Sequence, residues 1–264
     1  MNRSLLAGVG LIAMATSASA ADLAARPYTK APPMVAAAVY DWTGFYVGLN
    51  AGYGWGRSNL DTAVVGGFGS PNQALVSALD TLKLSPSGFT GGGQAGYNWQ
   101  SGNWVFGVEA DFEYFGLRAS QTTPSVFVGG GNFAVFNQVK TDWLFTARPR
   151  VGYAFDRSLL YVTGGVAVTD IKYTSNLIDP VFGTSNAAST TQTNAGWTVG
   201  AGWEYAFLNN WSAKLEYLYA DFGSVSMTSI GGNGAVFNQK ASLTTSIARA
   251  GINYKFGGPV VARY

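Results

Sequence analysis

The sequence predicts an all-β fold: an eight-stranded antiparallel up-and-down transmembrane β-barrel with short periplasmic turns and four long extracellular loops. Three observations predict it. Apolar and polar residues alternate with a period of two in eight separate segments, the connections between segments alternate between tight turns and long polar stretches, and aromatic residues gather at both segment ends. The composition agrees: 264 residues include 35 Gly, 14% aromatic residues and only 11% charged ones, with no Cys and no His. An average soluble domain carries about 25% charged residues. Beyond the N-terminus no run of about 20 apolar residues is present, so a helical membrane span is not expected.

The N-terminus reads as an export signal. Met1, Asn2 and Arg3 form a short basic start, Leu5 to Ala15 an apolar core too short to span, and Ala18-Ser19-Ala20 a small-residue cleavage site. Residues 1–20 are therefore expected to be a signal peptide for Sec-type export, with cleavage near Ala20. The competing reading, a buried helix of the fold, does not account for all three features together. Removing residues 1–20 takes away only Arg3 and leaves a net charge of +1, which offers no electrostatic case for nucleic acid. No disulfide can staple an exported chain that lacks cysteine. Residues 21–41, "ADLAARPYTKAPPMVAAAVYD", are rich in Ala and Pro without alternation and read as a periplasmic linker.

The strands follow from 42 to 256. In 42–56, Phe45, Val47, Leu49, Ala51, Tyr53 and Trp55 share one face and Gly48, Asn50, Gly52 and Gly54 the other. In 89–100, Ala95, Tyr97 and Trp99 oppose Gln94, Gly96 and Asn98. The third, "GVEADFEYFG" at 107–116, sets Glu109, Asp111 and Glu113 against Ala110, Phe112 and Tyr114. In 142–155, Trp143, Phe145, Ala147, Val151 and Tyr153 oppose Thr146, Arg148, Arg150 and Gly152. The fifth opposes Leu160, Val162, Val166 and Val168 to Thr163, Gly165 and Thr169, and the sixth Trp197, Val199, Ala201, Trp203 and Tyr205 to Thr198, Gly200, Gly202 and Glu204. The seventh opposes Ala213, Leu215, Tyr217 and Tyr219 to Lys214 and Glu216, and the eighth Ala248, Ala250, Ile252, Tyr254 and Phe256 to Arg249, Gly251, Asn253 and Lys255.

Connections near 101–103, 156–158 and 208–210 are tight, whereas those near 57–88, 119–140, 172–194 and 223–241 are long and polar. Two aromatic girdles are expected, Trp99, Trp104, Phe155, Phe207, Trp211 and Phe256 beside the turns and Trp55, Tyr114, Trp143, Trp197 and Tyr219 beside the loops. A soluble sandwich explains the alternation but neither the belts nor the loop asymmetry.

The stretches "YDWTGFYVGLNAGYGWG", "LEYLYADFG" and the closing "GINYKF" resemble the alphaproteobacterial outer-membrane β-barrel family, the RopB-like or opacity-type porin family. The resemblance runs from the signal peptide to the chain end and implies an eight-stranded barrel in the cell outer membrane with periplasmic termini. Such barrels end on an aromatic residue that the assembly machinery reads. Here Tyr254 and Phe256 complete the last alternation but "GGPVVARY" (257–264) follows as a tail, so the signal falls to Phe256 or to Tyr264.

In lipid every backbone group must be paired within the protein, so the sheet closes with its apolar set outward and its polar set inward. The inward charges are then five acids, Glu109, Asp111, Glu113, Glu204 and Glu216, and five bases, Arg148, Arg150, Lys214, Arg249 and Lys255. If Trp104 and Phe155 are level, Glu109 faces Arg150 and Asp111 faces Arg148, unless a bulge at Pro149 shifts the pairing by one. A balanced interior predicts a packed ion-pair network.

Three functions compete: a structural, surface-exposed barrel contributing to membrane integrity, a narrow porin-like pore, and a membrane enzyme. Paired carboxylates such as Glu109 and Glu113 suit acid–base work, but a chain without His or Cys builds no Ser-His-Asp or Cys-His machinery. No catalytic residue, metal or cofactor is expected. Outer-membrane lipid and lipopolysaccharide are expected neighbours by compartment, and the loops offer a place for a surface ligand. The near repeat "GGNFAVFNQ" (130–138) and "GGNGAVFNQ" (231–239) reads as strand extensions packing together in preference to an epitope, and Leu75, Leu79 and Leu82 share helical spacing.

Overall fold

The computed structural model describes residues 40–178 and 185–257. The expected signal peptide, the linker as far as Val39, and the tail beyond Gly257 with Tyr264 lie outside the described residues. The elements in chain order are β1 (Gly44–Val65), α1 (Ser70–Asp80), β2 (Leu82–Leu84), β3 (Ser87–Ser101), β4 (Trp104–Phe115), β5 (Arg118–Val126), β6 (Asn132–Lys140), β7 (Trp143–Phe155), β8 (Ser158–Ile178), β9 (Ser185–Ala206), β10 (Trp211–Ile230) and β11 (Val236–Lys255).

Eight of these strands close a ring. β1 pairs antiparallel with both β3 and β11, and the circuit runs β1, β3, β4, β7, β8, β9, β10, β11. Closure gives each of the eight ring strands a partner on both sides over the barrel wall, as a lipid-embedded backbone demands. The alternation sorts side chains as expected over the middle of the wall. Leu49, Phe112, Val162 and Ile252 are exposed outward, whereas Asn50, Asp111, Thr163 and Asn253 are buried within. Tight turns join β3–β4, β7–β8 and β9–β10, the first holding Gly102 and the second Asp156 in the left-handed region.

The four long connections are mostly not loops. β1, β8, β9, β10 and β11 run on past the barrel, and β5 and β6 form a hairpin continuing β4 and β7. The Ser, Thr, Asn and Gln of these stretches keep the period of two, so the ladder persists wherever a partner strand exists; β8 and β9 stay paired to Ile178 opposite Ser185. Beyond Asp221 opposite Trp197, β9 and β10 part, and the side-chain amides of Asn194 and Gln192 bond β10 carbonyls across the gap. Helix α1 carries Pro71 in its first turn, where a missing amide costs little. It packs Leu75, Val76 and Leu79 against Phe133, Val135, Leu177 and Phe237, closing the loop-side mouth. Leu82, expected with Leu75 and Leu79, belongs instead to β2.

The two near repeats are both strand extensions, but they sit in opposite phase. Phe133, Val135 and Asn137 point inward from β6, whereas Phe237 and Gln239 do so from β11, with Ala235 buried in the turn just before it. Equivalent residues of the repeat thus face opposite ways.

Pro149 produces no bulge. Val108 pairs with it directly on the β4 side, and Ala147↔Val166 and Arg150↔Thr163 flank it on the β8 side without a change of register. Ala154 donates toward β4, so by alternation Pro149 turns its amide-less nitrogen toward β8, where the ladder is interrupted. Thr163 Oγ1 donates to the Pro149 carbonyl there at 2.9 Å.

The interior is layered, with apolar clusters on either side of the inward charges. At the turn-side mouth Tyr40, Trp42, Val105, Ala154, Leu159, Tyr161 and Ala206 form an apolar cluster. Charged residues fill the middle. Above them Leu60, Phe115, Leu144, Ile171, Leu218, Phe222, Leu243 and Ile247 make a second apolar layer. The inward positions are therefore polar over only part of the strand length, because those beyond the charged layer pack as apolar clusters.

Candidate functional site

The middle layer is where titratable groups converge. Each of the eight ring strands sends at least one polar side chain into it. Arg148 on β7 reaches three carboxylates: Nη2 lies 2.9 Å from Glu109 Oε1 and 2.7 Å from Asp111 Oδ2, and Nη1 3.2 Å from Glu216 Oε1. Arg249 on β11 donates through Nη2 to Asp111 Oδ1 at 2.8 Å, through Nε to Glu216 Oε2 at 2.7 Å, and through Nη1 to Glu113. Lys214 Nζ on β10 crosses to Glu109 Oε1 at 2.9 Å. Arg150 Nη1 pairs with Glu204 Oε2 on β9 at 3.1 Å and lies 3.6 Å from Glu109 Oε2.

Two expectations are corrected here. Glu109 faces Arg148, not Arg150, and Asp111 faces Thr146; Trp104 is level with Tyr153, two residues from the expected Phe155. The register between β4 and β7 is carried by the long β5–β6 hairpin, whose geometry the aromatic belts do not fix. Lys255 stands apart from the network. It lies at the turn-side mouth with Nζ 4.6 Å from the Tyr40 ring centroid and bonded to the Asp41 carbonyl, because its strand ends below the layer of carboxylates. The buried network is thus five acids against four bases.

Neutral residues that the charge pattern did not single out complete it. Tyr46 OH donates to Glu109 Oε2 at 2.7 Å and Tyr161 OH to Glu216 Oε1 at 3.0 Å. The Arg150 guanidinium lies 4.7 Å from the Tyr46 ring centroid and 5.1 Å from that of Tyr161. Thr90 serves Glu113, Thr146 serves Asp111, and Ser212 and Asn253 serve Glu204. Parity was the signal available: Tyr46 falls between outward Phe45 and Val47. Two glycines make the room. A Cβ at Gly96 would lie 2.3 Å from Tyr46 OH, and one at Gly202 would lie 2.4 Å from Tyr161 Cζ.

The girdle candidates take outward positions. Trp55, Trp99, Trp104, Tyr114, Phe155, Trp197, Phe207, Trp211 and Phe256 are exposed, and Trp143 and Tyr219 are half-buried. Trp143 packs on Phe112 at 6.1 Å between centroids, Tyr219 on Trp197 at 5.5 Å, and Phe256 on Tyr254 and Phe45 at 5.1 and 5.7 Å.

A closed eight-stranded ring with an apolar exterior and a charged interior is the architecture of an outer-membrane barrel. The model of the outer membrane protein beta-barrel domain family matches residues 5–256. The chain belongs to that family. It is an integral protein of the cell outer membrane, with short turns at one end of the barrel and long strand extensions at the other. It is 36% identical over 258 residues, 97% of this chain and 100% of the relative, to the "31 kDa outer-membrane immunogenic protein" of Brucella melitensis. To the "25 kDa outer-membrane immunogenic protein" of Brucella abortus it is 28% identical over 252 residues, 96% of this chain and 97% of the relative. The solved structure of Ail, the attachment invasion locus protein of Yersinia pestis, aligns with 80% of this chain and 99% of its own at 16% identity and a TM-score of 0.35.

Proposed function

We propose that this barrel is a non-conducting structural protein of the outer membrane that displays its strand extensions at the cell surface and carries out no catalysis. The observation that carries the reading is the pair Arg148 and Arg249, which reach from opposite sides of the lumen to the same two carboxylates, Asp111 and Glu216. Ion pairs that join opposite walls leave no room for a solute path, and the apolar layer above offers ions nothing in exchange for hydration. The lumenal carboxylates are held by arginine and lysine, the chain has no histidine, and a general acid or base needs a group free to exchange its proton. Relatives whose names include "immunogenic" support display at the surface. In planar bilayers the purified protein should give no sustained conductance. Steady ohmic conductance by the wild type would replace this reading with a narrow pore.

Insertion rests on the last strand. Phe256 completes the outward alternation of β11 and packs on Phe45 of β1 at the ring closure, which supports it as the residue the assembly machinery reads. Phe256→Ala should reduce membrane insertion more than deletion of 258–264 does; the reverse order would place the signal in the tail.

A further inference from the structure

Beyond the Tyr114–Trp143 pair, Arg118 on β5, Lys140 on β6 and Lys172 on β8 lie directly opposite one another across three adjacent strands. All three occupy outward positions, since their neighbours Leu117, Val139, Ile171 and Tyr173 are buried inward. Opposed residues on neighbouring strands are about 5 Å apart, so three cations share a strip roughly 10 Å long. Like charges set opposite each other destabilise a sheet unless something answers them.

The protein answers them only in part. Asp142 Oδ1 lies 2.7 Å from Lys140 Nζ, and its other oxygen pairs with Lys172. Asp170 Oδ2 is 3.7 Å from Lys172, while its Oδ1 accepts the backbone amides of Asp142 and Trp143. Arg118 enters none of the ion pairs among the described residues and is exposed. Below the strip, toward the membrane, the wall turns apolar, with Phe112 stacked on Trp143 and with Phe145 and Val166 exposed.

We propose that Arg118, Lys140 and Lys172 form a binding site for the phosphate-bearing headgroup of an outer-leaflet lipid, whose acyl chains lie along the apolar wall beneath. A cationic row just above an aromatic girdle faces the plane where such headgroups sit, and two of its members are lysines long enough to lean toward it. Asp142 then acts as the counter-charge that holds the row together when no lipid is bound.

The test is titration of the purified barrel in neutral detergent micelles with diphosphorylated lipid A, read by native mass spectrometry. Dephosphorylated lipid A and inorganic pyrophosphate are the comparison probes. Each basic side chain near an anionic headgroup is expected to contribute roughly fivefold in affinity, so the R118Q/K140Q/K172Q variant should bind on the order of a hundredfold more weakly. D142N should bind about fivefold more tightly by the same electrostatic argument, a gain that misfolding cannot imitate. K240Q, exposed on β11, should leave binding unchanged. The proposal is overturned if the triple variant binds as the wild type does, if K240Q loses as much, or if dephosphorylated lipid A binds equally well. Displacement of the lipid by pyrophosphate at equal concentration would also overturn it, because the site would then be one for soluble phosphate. Should the triple variant fail to fold, D142N decides alone: no gain, no site.

Discussion

Arg148 and Arg249, from strands on opposite sides of the barrel, each take one oxygen of Asp111 and one of Glu216, so that two carboxylates clamp two guanidinium groups across the lumen. The quartet joins β4, β7, β10 and β11 at one level. It converts a hollow ring into a cross-braced one. Burying four charges is costly in itself, and the arrangement persists because each charge finds partners in several directions.

Arg148→Ala strands Glu109, Asp111 and Glu216 with fewer partners and should destabilise the barrel by about 3–5 kcal/mol in urea unfolding. The exchanged pair Glu109→Arg with Arg148→Glu keeps both charges opposite each other and should recover much of that loss. Coupling of at least about 1 kcal/mol is expected in the double-mutant cycle. Strictly additive effects would mean that the cross-lumen contacts contribute little.

Gly202→Ala drives a methyl group into Tyr161, whose Cζ would stand 2.4 Å away. Overpacking of this kind costs about 1–3 kcal/mol, and Tyr161→Ala in the same chain should relieve part of it. If the double variant is as unstable as the two losses summed, the close approach is not what requires glycine.

Asp80, at the end of α1, is buried and enters no ion pair among the described residues. Its Oδ1 accepts from Asn137 Nδ2 at 2.6 Å and its Oδ2 from Gln239 Nε2 at 2.7 Å, tying the helix to β6 and β11. Asp80→Ala leaves two buried amides unpaired, at about 1–3 kcal/mol each. The effect should be local. Hydrogen exchange and proteolysis should rise across 66–81, while the urea midpoint of the barrel moves little; an unchanged exchange profile would show that apolar packing alone holds the cap.

Burial pushes the Tyr40 hydroxyl up to about 12 from its ordinary 10. Because the raised value favours the neutral phenol, its contribution to stability is present below pH 10 and fades as pH rises from 10 toward 12. Tyr40→Phe should therefore flatten the alkaline loss of stability in that window and leave neutral pH almost unaffected. An identical alkaline profile for the variant would remove Tyr40 from the titration.

The wall of the barrel is legible in the amino-acid order. A period of two fixes which side chains face lipid and which face inward, so Glu109, Asp111, Arg148 and Arg249 fall on the inward side by pattern alone. The three tight turns fixed the order of neighbours, since a hairpin leaves its strands nowhere else to pair. The rest depends on distances between strands remote in sequence, which local pattern does not encode. Glu109 meets Arg148 because the β4–β7 register is set through a long hairpin that the alternation does not constrain. Inward Leu144, Leu218 and Ile247 form an apolar layer because depth along the barrel, not parity, decides whether an inward position is wet. Lys255 shares the inward parity of Arg249 yet lies outside the network, since its strand ends below the layer of lumenal carboxylates and the lysine meets Asp41 at the mouth instead. The row of Arg118, Lys140 and Lys172 is invisible in the sequence for the same reason: 22 and 32 residues separate its members along the chain, and only strand pairing brings them together.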